Sequence, residues 1–159
     1  MNTLYLNKSQ TDEAANILKN GGIVAIPTET VYGLAANAFN ESAVKNIFKA
    51  KGRPSDNPLI VHISKINDIF KVVSEFSEKA QKLAEKFWPG PLTMILPKNE
   101  NVPYCVTGGM NSVAVRFPNH ETARMIIEKS GVPLVAPSAN ISGRPSPTKF
   151  DHVVNDLSG

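Results

Sequence analysis

A single cysteine, Cys105, among 159 residues excludes an intramolecular disulfide framework and gives zinc binding no support. A reducing, cytoplasmic compartment is the expectation. No apolar run approaches the roughly 18 residues that a membrane-spanning helix needs, so no membrane partner is expected. The opening stretch Met1-Asn2-Thr3-Leu4-Tyr5-Leu6-Asn7-Lys8 also lacks the basic region and long apolar core of an export signal. Charge of one sign is missing too: 17 Lys and Arg against 14 Asp and Glu leave a net +3. That balance tolerates anionic ligands but is too mild to mark a dedicated nucleic-acid protein. The chain has no Gly-x-x-x-x-Gly-Lys-Ser/Thr phosphate loop, no Gly-x-Gly-x-x-Gly fingerprint, no His-Glu-x-x-His and no Gly-x-Ser-x-Gly. P-loop and metalloprotease chemistry are therefore excluded. Repeats, low-complexity tracts and linkers are likewise missing.

What is there suits one globular domain over residues 1–159, with 42% hydrophobic residues to build its core. Thr11 is placed to cap a first helix that stops at Asn20-Gly21-Gly22. Ile23 to Ile26, ended by Pro27, has the continuous apolar pattern of a buried strand, and a loop from Thr28 to Ala38 leaves its carboxyl end. Helical spacing follows from Glu41 to Ala50 behind Asn40, then strand patterns at 59–63, 92–96, 113–117 and 134–136. Further helices are expected from Ser77 to Phe87, from about His120 to Ser130, and after a Thr148 cap toward Leu157. Alternating strands and helices predict an α/β fold. Two strands between Leu92 and Phe117 with no intervening helix favour a mixed sheet over a fully parallel one.

Two loops concentrate chemistry. Lys51-Gly52-Arg53-Pro54-Ser55-Asp56-Asn57-Pro58 and Ala136-Pro137-Ser138-Ala139-Asn140-Ile141-Ser142-Gly143-Arg144-Pro145 set cations beside hydroxyls and amides on proline-stiffened backbone. Arg and Lys supply charge-assisted donors to phosphate, Ser and Asn add neutral hydrogen bonds, and Pro reduces the entropy lost on ordering. Lys51 and Arg53 would also suit a helix C-terminus electrostatically; the stiff, amide-bearing continuation through Asn57 tilts the balance toward nucleotide binding. Thr28, Glu29 and Thr30 follow a buried strand, where open α/β sheets place ligands, but threonines there also satisfy local backbone. His62 alternates with Val61 and Ile63, and Arg116 leaves a buried strand, able to clamp a carboxylate or to reach water. Thr107-Gly108-Gly109 could present amides to an anion or simply turn the chain. Trp88 reads as a core anchor.

Taken in order, Pro27-Thr28-Glu29-Thr30-Val31-Tyr32-Gly33-Leu34, Lys51-Gly52-Arg53-Pro54 through Asn57-Pro58-Leu59, Trp88-Pro89-Gly90-Pro91-Leu92-Thr93, Val113-Ala114-Val115-Arg116 and Ala136-Pro137-Ser138-Ala139-Asn140 resemble the YrdC/TsaC family of L-threonylcarbamoyladenylate synthases. The resemblance implies a twisted mixed α/β sheet flanked by helices, with a basic concave surface. It implies conversion of L-threonine, bicarbonate or CO2, and ATP to threonylcarbamoyl-AMP and pyrophosphate, toward threonylcarbamoyladenosine in tRNA. It carries the family's catalytic constellation onto Lys51, Arg53, Ser138 and Asn140. ATP contacts extend to Asn57, Thr107 and Arg144, and threonine contacts fall on Thr30, His62 and Arg116. Mg²⁺ is expected with the triphosphate, and the implied partners include tRNA or double-stranded RNA and a downstream threonylcarbamoyl transferase. Family members ordinarily continue with a Glu-Ser-Thr and an Arg-Pro-Gly segment, and the expectation is a domain lacking those final strands. A noncatalytic module binding double-stranded RNA through the same concavity is the alternative, distinguished by steep salt dependence.

Overall fold

The computed structural model describes residues 3–159. Helix α1 (Thr11–Lys19) leads into strands β1 (Val24–Ile26) and β2 (Gly33–Asn37), then α2 (Glu41–Lys51) and β3 (Ile60–His62). A 3-10 turn (Ile66–Lys71), α3 (Glu78–Phe87), β4 (Thr93–Pro97), α4 (Tyr104–Thr107), β5 (Ser112–Arg116), α5 (Glu121–Ser130), β6 (Leu134–Val135) and α6 (Phe150–Leu157) complete the order. The six strands form one sheet in the order β1-β2-β6-β3-β5-β4. Only β3 and β5 run parallel; every other neighbouring pair is antiparallel. The α/β mixed sheet expected from the sequence is the one observed.

Side-chain alternation decides which helices each strand meets. Leu34, Ala36 and Val135 point into a core with Val44, Ile47 and Phe48 of α2, Ala80 and Ala84 of α3, and Trp88. Ala35 and Leu134, one residue out of phase, point the other way onto Ala14 and Leu18 of α1 and Ala123, Ile126 and Ile127 of α5. Strands β2 and β6 are thus covered on both faces. Across β3, β5 and β4, Val61, Val115 and Met94 join the first core, while the alternate rows Ile60, Ala114, Ile95 and His62, Arg116, Thr93 belong to neither core. Ile95 is 74% exposed. The second face of this half of the sheet is therefore an open surface ending beside His62 and Arg116.

Several local expectations are corrected. Thr11 lies inside α1, with Gln10 before it supplying no side-chain cap, because its hydroxyl accepts a 2.7 Å bond from Lys129 Nζ of α5 instead. The expected loop from Thr28 to Ala38 contains β2, a run of small residues that becomes strand by pairing with β1 and β6. Helix α4 interrupts the segment between β4 and β5. Lys149, rather than Thr148, precedes α6. By contrast Asn40 caps α2 as expected, accepting from the Ala43 amide at 3.0 Å, and Trp88 is a core anchor, 6% exposed, with Nε1 donating to Leu92 O.

Candidate active site

The two basic loops meet through Lys51. This last residue of α2 is 1% exposed, and its ammonium donates to the carbonyls of Ser138 and Asn140. Ser142 N returns a 2.8 Å bond to Lys51 O. Helix termination explains why Lys51 can do this: Gly52 follows in the left-handed region at φ 57°, turning the chain so that Arg53 N reaches Phe48 O. Burial pulls the Lys51 pKa down to about 8, the neighbouring Arg53 charge adds to the drop, and Asp156 opposes it. Two of the three ammonium donors are committed to carbonyls, leaving one.

The second loop is laced to the β1–β2 loop as well. Leu34 N donates to Pro137 O at 2.7 Å, Ala139 N to Tyr32 O at 2.8 Å, and Tyr32 N to Pro147 O at 2.8 Å. Gly33 permits that approach, since a Cβ there would meet Ala136 Cβ at 3.1 Å. Asn140 is buried, with Nδ2 donating to Ile141 O and Arg144 O at 2.8 and 2.9 Å, while its Oδ1 is buried without a partner. Arg144 is held by Asp156 of α6 at 2.7 Å, and the same carboxylate accepts from Ile141 N. Asp156 is a residue that local sequence offered no reason to select; its role exists only because α6 folds back on this loop.

In the first loop, Arg53 donates through NH2 to Pro58 O at 3.1 Å, and its buried Nε has no partner. Asn57 is exposed. Thr107 lies beneath this loop, 1% exposed, with its hydroxyl donating to Met110 O at 2.7 Å. Gly108 explains the close packing: at φ 60° a Cβ there would stand 2.4 Å from Asp56 O. Leu59 N, donating to Val106 O at 2.8 Å, seals the same contact.

The third group surrounds Arg116. Parallel pairing of β3 with β5 puts His62 and Arg116 in register, one strand apart. Arg116 is 8% exposed. Its Nε donates to Gly90 O at 3.2 Å, NH1 to Thr30 Oγ1 at 3.1 Å, and NH2 to Glu29 Oε1. The other Glu29 oxygen accepts from Asn119 N. Thr28, by contrast, turns its hydroxyl on its own loop, donating to Val31 O at 2.6 Å. His62 is buried with Nδ1–H donating to Ile60 O at 3.1 Å, and burial lowers its pKa to about 4 despite that bond. It is a neutral imidazole at ordinary pH, with Nε2 an acceptor.

The structure therefore joins Lys51, Ser138, Asn140 and Arg144 in one connected group, Thr30, His62 and Arg116 in another, and Arg53, Asn57 and Thr107 along a third edge. Gly90, Asn119 and Glu29 complete the Arg116 environment. Of these, Glu29 was visible as a polar residue after a strand, whereas Gly90 and Asn119 act through backbone atoms that carry no sequence signal. A hollow of about 530 Å³ lined by Ser74, Lys98 and Tyr104 contains none of these residues. Its Lys98 already donates to Asn99 O and Val102 O.

The Sua5/YciO/YrdC family model, described as telomere recombination, matches residues 16–159. The chain is 57% identical over 146 residues to the threonylcarbamoyl-AMP synthase of Pyrococcus abyssi (strain GE5 / Orsay), covering 92% of this chain and 43% of that protein. It is 53% identical over 157 residues to the threonylcarbamoyl-AMP synthase of Bacillus subtilis (strain 168), covering 98% and 45%. The crystal structure of P. abyssi Sua5 complexed with L-threonine superposes with a TM-score of 0.92 at 54% identity, over 96% of this chain and 45% of that one. The chain thus spans less than half the length of these relatives. With its fold and most of its sequence so matched, the chain belongs to the Sua5/YciO/YrdC family.

Proposed function

We propose that this chain supplies the substrate-binding surface of an L-threonylcarbamoyladenylate synthase, acting on L-threonine, bicarbonate or CO2, and ATP. The observation that carries the reading is the buried Lys51 ammonium tying the first cation-bearing loop to the carbonyls of Ser138 and Asn140 in the second. Such a tie holds two polar loops at fixed separation, which a polyanion needs from a preorganised site. The relatives described above are named as synthases of this product, and P. abyssi Sua5 is seen with L-threonine. They lend nothing to the alternative of a noncatalytic RNA-binding module.

In this reading, ATP lies along Lys51, Arg53, Asn57, Ser138, Asn140 and Arg144, with Thr107 supporting the loop from below. Threonine lies at Thr30, His62 and Arg116. Its α-ammonium gives up a proton to water, the free amine adds to CO2 and releases a second proton to give a carbamate, a carbamate oxygen attacks the α-phosphorus, and pyrophosphate leaves. Arg53 and the third donor of Lys51 stabilise charge on the phosphate oxygens; neutral His62 offers an acceptor rather than a second cation. Mg²⁺ enters with ATP. The ion would be held mainly through the triphosphate oxygens and water. The product passes to a threonylcarbamoyl transferase acting on tRNA in the cytoplasm. No helix among the described residues is long and apolar enough to cross a membrane.

Incubation with ATP, L-threonine and bicarbonate, followed by mass spectrometry, tests the reading. Threonylcarbamoyl-AMP should form only when all three are present, and Arg53→Ala should abolish it. Product formation that survives the substitution overturns it.

A further inference from the structure

The carboxylate that occupies Arg116 belongs to the protein itself. Glu29 Oε1 accepts from the guanidinium and Oε2 from Asn119 N, and the Glu29 side chain keeps 23% of its surface exposed. Arg116 is buried enough for desolvation to lower its pKa, so the pair leaves the pocket electrically neutral before any ligand arrives. A substrate carboxylate that takes the guanidinium must displace Glu29. Removing one partner of a poorly hydrated ion pair is costly unless the freed charge finds a new counter-ion. An α-amino acid carries that counter-ion one carbon away from its carboxylate. Both charges of the pocket are then paired again, whereas a 2-hydroxy acid or simple carboxylate leaves Glu29 without a cation. Exposure of the Glu29 side chain lets it swing without disturbing either core.

We propose that Glu29 is the residue that selects an amino acid over other carboxylates, exchanging Arg116 for the α-ammonium of the incoming zwitterion. The inference rests on the assignment of Arg116 to the threonine carboxylate. It adds a specificity-determining residue and a reason for it: a neutral pocket built from one opposed pair accepts a ligand built from the same opposed pair. No covalent step is involved.

Calorimetric titration of L-threonine and of 2,3-dihydroxybutanoate of matching stereochemistry, which has hydroxyl in place of ammonium, tests the exchange. The unsubstituted chain should favour threonine by about tenfold or more, the worth of one charge-assisted hydrogen bond. In Glu29→Gln that preference should collapse to near unity, through weaker threonine and unchanged or tighter hydroxy acid. A merely structural role would weaken both ligands in parallel and keep the ratio, which overturns the proposal. Equal binding of both ligands by the unsubstituted chain overturns it too, but spares the threonine assignment. Binding of neither ligand sinks both. Amide NMR of the unsubstituted chain gives an independent reading, because saturating threonine should release and shift the Asn119 N–H. An Asn119 amide that stays in place rules the exchange out.

Discussion

His62 and Lys51 are bases held 3% and 1% exposed, and burial moves each toward its neutral form, to about 4 and about 8. The chemical outcomes differ. Lys51 remains mostly charged at neutral pH because its folded pKa still lies above 7, and two carbonyls receive its donors. His62 has only the Ile60 carbonyl and is neutral. For His62 the unfolded chain takes up a proton near pH 6.5 that the folded chain refuses until about 4. The unfolded state binds more protons in that window, so stability is full above 6.5 and declines as pH falls. The decline corresponds to about 3 kcal/mol once complete. Urea unfolding midpoints should drop between pH 6.5 and 5, and His62→Phe should flatten that part of the profile. A profile identical in the substituted protein would show that other groups set the acid limit.

At the scale of elements, α2 and α4 place the first basic loop, which leaves the end of α2 and packs on Gly108 after α4. Helix α2 starts at the Asn40 cap, visible in sequence because capping is a local exchange between one side chain and the nearest backbone groups, and ends in the left-handed Gly52. The corresponding assignment of Thr11 failed since a residue remote in sequence, Lys129, claimed its hydroxyl. Helix α4 was also missed; four residues behind Pro103 carry too little periodicity to register. Gly52 and Gly108 have similar φ, 57° and 60°, but only Gly108 sits against other backbone. Gly52→Ala should therefore cost about 1 kcal/mol of stability, the backbone preference alone. Gly108→Ala should cost more, about 2–3 kcal/mol, because the Asp56 carbonyl must move. It should also displace the Asn57 segment and weaken ATP binding. Chemical denaturation and nucleotide titration of the two variants check the ranking, and equal costs would contradict it.

For the whole molecule, sheet order determines which surfaces remain open. Strand β4 ends the sheet among the described residues, with Ile95 on its uncovered face, while helices α1 and α5 shield the same face at β2 and β6. An exposed β-branched residue on an edge strand invites pairing with another copy. Ile95→Lys should leave stability within about 0.5 kcal/mol, as for an exposed position away from special contacts, yet reduce concentration-dependent association in sedimentation velocity. Undiminished association would place the contact elsewhere.

Sequence alone determined the mixed α/β class, the positions of most helices and of every strand but β2, and the loops that carry the cations. Those features depend on short-range periodicity, caps and turn residues, which adjacent side chains specify. It did not determine that Gly33–Asn37 is a strand, since small residues with little intrinsic strand preference are held there by pairing on both sides. Nor did it show that Lys51 would be buried against Ser138 and Asn140, that Asp156 would hold Arg144, or that Glu29 would occupy Arg116. These partners are between 12 and 89 residues apart along the chain. Their meeting depends on strand order and on buried charges finding counter-groups, and only the folded backbone brings those together.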